Sequence, residues 1–301
     1  MLYLHQSNRL ETLAAVLSEL QKLAPLSDAF AQEEIIVQSQ GMRRYLNTYL
    51  ASSLGVAANL NFSLPASLTW RLMRQAMPET PALSPFSPEV MRWRLLDLFN
   101  SHLFQTAETF AESRNALNSY LTSGESAAYQ LAGQLADIFD QYLVYRPEWI
   151  DCWQQGGLLD LGSDEIWQAQ LWRYLDDGNQ SVPHRVALWE KLLNLLGQIK
   201  LPERFFVFCV ATMAPMYLQL LQALSVHCDV HIFALNPSSQ YWGNVIEAAQ
   251  ILRSDSDIDL NQSGHPLLAS LGKQERDFFD ALTESSVSKE YDYFDDRPSE
   301  K

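Results

Sequence analysis

Glycine and lysine are missing from the one turn of this chain where a nucleotide-driven machine needs them. The pattern predicts a strand over 2–5 and a helix over 10–20, joined by Gln6-Ser7-Asn8-Arg9. A phosphate-binding loop at such a turn uses glycines, whose missing Cβ lets backbone N–H groups close round the phosphate. It also uses a Lys to reach the terminal phosphates and a Ser/Thr for magnesium. That set is not here, and neither is the metal-holding acid that ends a buried strand in nucleotide hydrolases. The best buried strand, 205–210, runs into Ala211-Thr212-Met213 without an Asp or Glu. Together these absences argue against ATPase or GTPase activity. No Glu-x-Lys or Asp-x-Lys triplet of one large nuclease class occurs, and no G-x-S-x-G elbow.

Cysteine is scarce as well. Cys152, Cys209 and Cys228 have no paired or CxxC spacing, which fits a reducing cytoplasm; Cys209 and Cys228 read as thiols of strand cores. Basic residues are outnumbered, 21 Lys+Arg against 36 Asp+Glu, for a net charge of −15. Such a balance disfavours non-specific nucleic-acid binding, which works by neutralising phosphates. It suits a soluble protein or a subunit docked on a basic partner. Residues 205–226 carry no formal charge over a length comparable to a membrane span. However, 205–210 is β-rich, Thr212 and Pro215 interrupt the run, and Gln219 and Gln222 follow, so it reads as strand, turn and buried helix. The start MLYLHQSNRLETL has no basic region leading an apolar stretch, so no signal peptide is expected. His227 and His231 have the i,i+4 spacing of a helical metal pair, but His231 falls on a predicted strand, where that spacing spans roughly 13 Å. They read as strand-end histidines, and no metal site is expected.

What is present is a folded globule. At 301 residues with 47% hydrophobic content and eight Trp, the chain can bury a large core in two subdomains. Three β-α units frame it: 2–20; strand 34–38 with helix 42–51; and strand 204–210, helix 216–224, strand 229–235. Short apolar strands alternating with helices predict an α/β fold with a parallel sheet. Between the second and third units lies a helical block. Ser87-Pro88-Glu89 starts it well, with Ser as cap and Pro at the first helical position. Helices are expected over 92–103, 127–145, 167–176 and 186–199. The expected organisation is therefore 1–77 as the first part of the α/β core, 78–200 as a helical insertion, 201–250 as the return to the core, and 251–301 as a polar linker, helix and acidic tail. The last predicted helix, 266–282, has no strand after it to complete a unit, which suggests a fragment of something longer.

Two places could contact a ligand. Gln38-Ser39-Gln40-Gly41 ends a strand and opens a helix, where α/β sheets bind ligands. Gln38 and Gln40 each offer a donor and an acceptor, Ser39 and the helix N–H groups can take a phosphate, and Arg43 and Arg44 add charge. The competing reading is an ordinary βα turn with solvated arginines. In 131–145, Leu131, Leu135, Ile138, Phe139 and Tyr142 share one helix face and read as core. Gln134, Asp137, Asp140 and Gln141 share the other, with Arg146 at the helix end. Those carboxylates could accept from base amino groups, or form a solvated face. Trp70, beside Arg71 and Arg74, could stack on a base or simply be core.

At these same segments the chain resembles the N-terminal part of RecC, the gamma chain of exodeoxyribonuclease V in the bacterial RecBCD recombination enzyme. The segments are HQSNRLETL (5–13), IIVQSQGM (35–42), AANLNFSLPAS (57–67), LADIFDQYLVYRPEW (135–149), MAPMYLQLLQAL (213–224), NPSSQYWG (236–243) and HPLLASLGK (265–273). The resemblance implies a superfamily-1 helicase-like core with a degenerate P-loop, in a cytoplasmic subunit that is itself not catalytic. It implies RecB-like and RecD-like partners, which would use the ATP and magnesium, and no membrane. RecC splits the strands of duplex DNA and scans the 3′-ended single strand for the Chi sequence, switching the enzyme from degradation to recombination. Family proteins are much longer, so the resemblance also implies a fragment. Gln38, Leu64, Trp70, Asp137, Ile138, Asp140, Arg146 and Arg185 sit in motifs matching the family's Chi-reading positions. Where this chain has Gln40, Arg44 and Ile138, the family can have Thr, Gln and Leu, which puts the identity of the recognised octamer in doubt. On this reading Ser39, Arg43 and Arg44 hold backbone phosphates, Gln38, Asp137, Asp140 and Arg146 contact bases, and Trp70 stacks. A structural scaffold without base readout and a stand-alone NTPase or nuclease are the alternatives.

Overall fold

A computed structural model describes residues 1–176, 183–240, 242, 266–284 and 287–295. The chain forms two compact units, one of Met1–Arg71 with Leu196–Lys301, the other of Leu72–Leu195. The composition-based boundaries near 77 and 200 differ by a few residues, because the helix over Pro65–Ala76 and the 3-10 turn over Leu196–Gln198 carry the chain across them. The expected boundary near 250 lies outside the described residues.

The first unit is built on six strands: β1 (Leu2–Ser7), β2 (Glu33–Val37), β3 (Leu60–Ser63), β4 (Arg204–Phe208), β5 (Asp229–Leu235) and β6 (Lys289–Asp292). They pair in the order β3-β2-β4-β5-β1-β6, and every pairing is parallel, as the alternating pattern predicts. Helices α1 (Leu10–Leu23) and α2 (Gln40–Leu54) follow β1 and β2. Leu13 and Leu17 of α1 and Leu46 and Leu50 of α2 bury completely with Ile35, Phe206, Phe208 and Phe233 of the sheet. Each such side chain contributes roughly 1.5–3 kcal/mol on leaving water. Strands β2 and β4 are buried at every residue, and their apolar stretches, 35–37 and 205–208, follow charged residues at the amino ends. At their amino ends Arg204 forms a bidentate ion pair with Glu33 and donates to Ala24 O at 2.6 Å. Parallel pairing has a functional consequence: the turns after all six strands lie along one edge of the sheet.

Two strands escape the sequence pattern. β3 is Leu-Asn-Phe-Ser, half-buried throughout, and β6 is Lys-Glu-Tyr-Asp, exposed throughout. Both sit at sheet edges and pair on one side only, so neither needs an apolar run. β6 corrects the expectation that the last helix has no strand after it. The helix expected over 266–282 is two helices, Pro266–Leu271 and Lys273–Glu284. They break at Gly272, where a Cβ would stand 2.5 Å from Leu268 O and 2.9 Å from the Trp242 ring. The uncharged run is β4, a turn and a helix over Pro215–Ser225. No helix among the described residues is long and apolar enough to cross a membrane. His231 lies within β5, stacked on Tyr3 at 4.5 Å and facing the His5 ring nitrogen at 3.1 Å, while His227 precedes the strand and is exposed.

The second unit is helical. With α3 as the Pro65–Ala76 helix, it contains α4 (Pro88–Asn100), α5 (His102–Thr106), α6 (Ala111–Leu121), α7 (Glu125–Tyr145), α8 (Pro147–Gln154), α9 (Ser163–Leu175) and α10 (Arg185–Leu195). The single helix expected over 92–103 ends at Ser101, whose hydroxyl caps α5 by accepting from Phe104 N at 3.1 Å. Phe86, Phe139, Trp153 and Trp172 fill the core. A buried carboxylate, Glu165, is held by Trp153 Nε1 at 2.9 Å and by the backbone N–H groups of Leu159 and Leu161. Burial works against its charge, but these donors outweigh it and keep the carboxyl below its ordinary range.

Candidate nucleic-acid interface

The turn after β1 is occupied by the chain itself. Ser7 Oγ donates to Tyr293 O at 2.8 Å, Asn8 exchanges two hydrogen bonds with the Asp295 backbone, and Arg9 stands 3.7 Å from the Asp295 carboxylate. An acid of the segment after β6 therefore sits beside the turn where a phosphate loop would present a lysine. A phosphate approaching α1 from this side meets the Arg9–Asp295 pair and the backbone after β6.

One strand pair away, the turn after β2 is open. Gln38, Ser39 and Gln40 are exposed, and Ser39 is the N-cap of α2, its Oγ accepting from Met42 N at 3.1 Å. Its hydroxyl is thus engaged, and a phosphate there would share or displace that bond. Gln38 Oε1 accepts from Ala211 N at 3.2 Å, tying its carboxamide to the turn after β4 and turning the NH2 group into its free donor. That hydrogen bond orients the Gln38 carboxamide. Helix α2 reads QGMRRYLNTYLASSL, two arginines without a single acid. Among the described residues neither Arg43 nor Arg44 meets a carboxylate, although the chain carries a net −15. Arg43 instead lies over the Phe62 ring of β3, 5.8 Å from its centroid.

Parallel pairing of β2 with β3 brings Leu64, directly after β3, to the same edge, where it is 38% exposed. Trp70, on α3, is half-buried. Its neighbour Arg71 is not a free cation: it binds both oxygens of Glu34, at 2.9 and 2.6 Å, beside Asn61. Sequence spacing could not reveal that pairing. Between α2 and β3 lies a cleft of about 250 Å³ lined by Gln40, Arg43, Arg44, Asn47, Leu60 and Phe62. Asn47, Leu60 and Phe62 escaped the sequence reading. The short alternation Leu60-Asn61-Phe62-Ser63 carries the signal for Leu60 and Phe62, and Asn47 follows from its helical spacing to Gln40, Arg43 and Arg44.

In the second unit, α7 exposes Gln134, Asp137 and Gln141 along one stripe, as its periodicity predicts. Ile138 departs from that reading. Assigned to the core by spacing, it is 36% exposed, because the apolar face is already filled by Leu135 and Phe139. Asp140 pairs with Arg185 at 3.4 Å, a residue 45 positions away at the start of α10. Burial raises the Asp140 carboxyl, Arg185 opposes that, and Asp137 and Glu89 add to it. Arg146 is exposed; it donates to Tyr145 O and lies over Trp149 at 5.6 Å. The aromatic part of DQYLVYRPEW is structural: Tyr142 packs on Trp149 and Trp153 and donates to Gln168 Oε1 at 2.8 Å. The anticipated site residues thus fall into two groups. Gln38, Ser39, Gln40, Arg43, Arg44, Leu64 and Trp70 belong to the first unit, and Asp137, Ile138, Asp140, Arg146 and Arg185 to the second.

Comparison with known proteins draws on the whole chain. Residues 2–301 match the family model described as RecC, N-terminal domain. The chain is 34% identical to the RecBCD enzyme subunit RecC of Escherichia coli (strain K12), over 98% of this chain and 29% of that protein. It is 35% identical to the subunit of the same name from Haemophilus influenzae, over 92% of this chain and 30% of the relative. With the Mycobacterium tuberculosis protein of that name the identity is 31%, over 96% and 27%. The chain spans less than a third of the length of the curated relatives it matches.

Proposed function

This chain belongs to the RecC family, and from that membership we propose that it is the N-terminal, non-catalytic DNA-binding part of a RecBCD-type helicase and nuclease. Its role is to scan 3′-ended single-stranded DNA for Chi during recombinational repair of double-strand breaks. RecB-like and RecD-like subunits are its partners, ATP and magnesium are used by those partners, and the assembly works in the cytoplasm. The core is a helicase-like one put to a different use, with its phosphate turn taken by Asp295.

The observation that carries this reading is the pair of guanidiniums on an acid-free helix, without a carboxylate partner among the described residues, at the ligand-binding edge of a parallel sheet. Arg43 and Arg44 attract backbone phosphates, which fix register without reading sequence. Gln38, its acceptor held by Ala211, directs its NH2 group to a base-edge acceptor. Asp137 accepts from exocyclic amino groups and Asp140 and Arg185 neutralise one another beside it, with Ile138 as an apolar neighbour on the same helix; in the first unit Trp70 and Leu64 offer bases an apolar surface of their own. The net −15 is then carried by surfaces facing water and other subunits. The test is Chi-dependent switching of the reconstituted enzyme. Gln38→Ala and Asp137→Ala should each blunt the response to Chi while unwinding continues. If both variants respond to Chi like the parent, the assignment of these residues is wrong.

A further inference from the structure

The cleft between α2 and β3 has the chemistry of a seat for a single nucleotide. Its floor is Phe62 and Leu60, which face the α2 side of the sheet because side chains alternate along β3. Its rim is Gln40, Arg43, Arg44 and Asn47, residues at helical spacings 3, 4 and 7 that share one face of α2. At about 250 Å³ it falls below the roughly 300–1,000 Å³ of sites for drug-sized ligands, which suits one unit of a strand better than a whole cofactor. No acid lines it. Arg44 also borders a second depression formed with Gly41, Tyr45, Thr48, Tyr49 and Ser52, so its guanidinium stands between the two.

We propose that this cleft binds one unpaired nucleotide, with its base against Phe62, its phosphate on Arg43 and Arg44, and its base edge on the Asn47 carboxamide. Only an unstacked base can present its face to Phe62, so the ligand is single-stranded. Arg43 already lies over that ring at 5.8 Å, a place the arriving base takes as the guanidinium turns to the phosphate. This inference rests on the reading of α2 as a DNA-binding helix and extends it to Phe62 and Asn47, which that reading leaves unused.

The experiment uses the reconstituted enzyme and two oligonucleotides, a mixed-sequence single strand and an abasic strand of equal length. Phe62→Leu keeps an apolar floor, and its unfolding midpoint is checked beside binding. Loss of one base stack should weaken binding of the mixed strand by about 5- to 150-fold and leave the abasic strand unchanged. Asn47→Ala should change the ranking of homopolymer strands. Strands carrying 5-iododeoxyuridine should crosslink to Phe62. The proposal is overturned if Phe62→Leu binds the mixed strand like the parent, if it weakens the abasic strand equally, or if polyglutamate occupies the cleft and no base crosslinks there. Arg43→Gln with Arg44→Gln separates the two levels. If that pair weakens binding while Phe62→Leu does not, the nucleotide seat fails alone; if neither does, the reading of α2 fails with it.

Discussion

Replacing Arg43 and Arg44 by glutamine should flatten the salt dependence of single-strand binding by an amount that can be worked out. Each phosphate neutralised on a single strand contributes a slope of about −0.7 in log affinity against log salt. Two guanidiniums without counter-charges among the described residues account for about −1.4, and their loss reduces the slope by that much. Between 50 and 200 mM salt the variant should therefore lose roughly sevenfold less affinity than the parent. The fold should tolerate the change. Both side chains are exposed, glutamine is nearly as good a helix former as arginine, and the Ser39 cap is untouched. The contact of Arg43 with Phe62 is worth about 0.5–1 kcal/mol at such a site. Fluorescence-anisotropy titrations at four salt concentrations measure the slope. A control, Lys22→Gln with Lys200→Gln, removes the same formal charge from the same unit away from α2. An unchanged slope in the arginine variant refutes phosphate contact by these residues. An equal change in the control shows that net charge, not local contact, sets the slope.

Other perturbations read other parts of the structure. Glu33→Gln leaves the Arg204 guanidinium buried without its counter-charge and should cost about 3–5 kcal/mol, seen as a lower urea midpoint; replacing both partners by Met should cost far less. Burial holds His184 at about 4, below its unfolded value of about 6.5, so the unfolded state takes the proton first as pH falls. Its contribution is complete above pH 6.5, erodes toward pH 4, and amounts to roughly 3 kcal/mol. His5 and His231, also lowered to about 4 by burial, act with the same sign in the other unit. Thermal unfolding should thus be much earlier at pH 4.5 than at pH 7.5, and equal midpoints would contradict the burial of these rings. Arg185→Gln removes the cation that holds down the Asp140 carboxyl, so Asp140 should titrate at still higher pH by carboxyl-detected NMR. No movement would mean the pair does not persist in solution.

Much of the candidate site is legible in the chain because a strand-turn-helix boundary carries a strong local signal. The apolar run of β2, then Gln38-Ser39-Gln40-Gly41, then the α2 pattern, marks the turn and its arginines without any tertiary information. The stripe of α7 is equally plain for Gln134, Asp137 and Gln141. Ile138 is the instructive miss. A helix face is a continuum, and only the neighbouring helices decide where core ends and surface begins. Arg71 teaches the same lesson in charge: adjacent to Trp70 it looks free to meet a phosphate, yet Glu34, 37 positions earlier, already holds it.

The amino-acid order alone determined the parallel α/β character, the helical block between its parts, and the lack of phosphate-loop residues at the turn after β1. Strands buried on both faces are mainly apolar, and a phosphate cradle must contain glycine, so both conditions are written in local composition. Only the tertiary structure decided that β3 and β6 complete the sheet, that Asp295 faces Arg9, that Gln38 is braced by Ala211, and that Arg43 and Arg44 meet no acid among the described residues. Edge strands, ion pairs and side-chain braces depend on what arrives from distant parts of the chain. No local pattern encodes the identity of that neighbour.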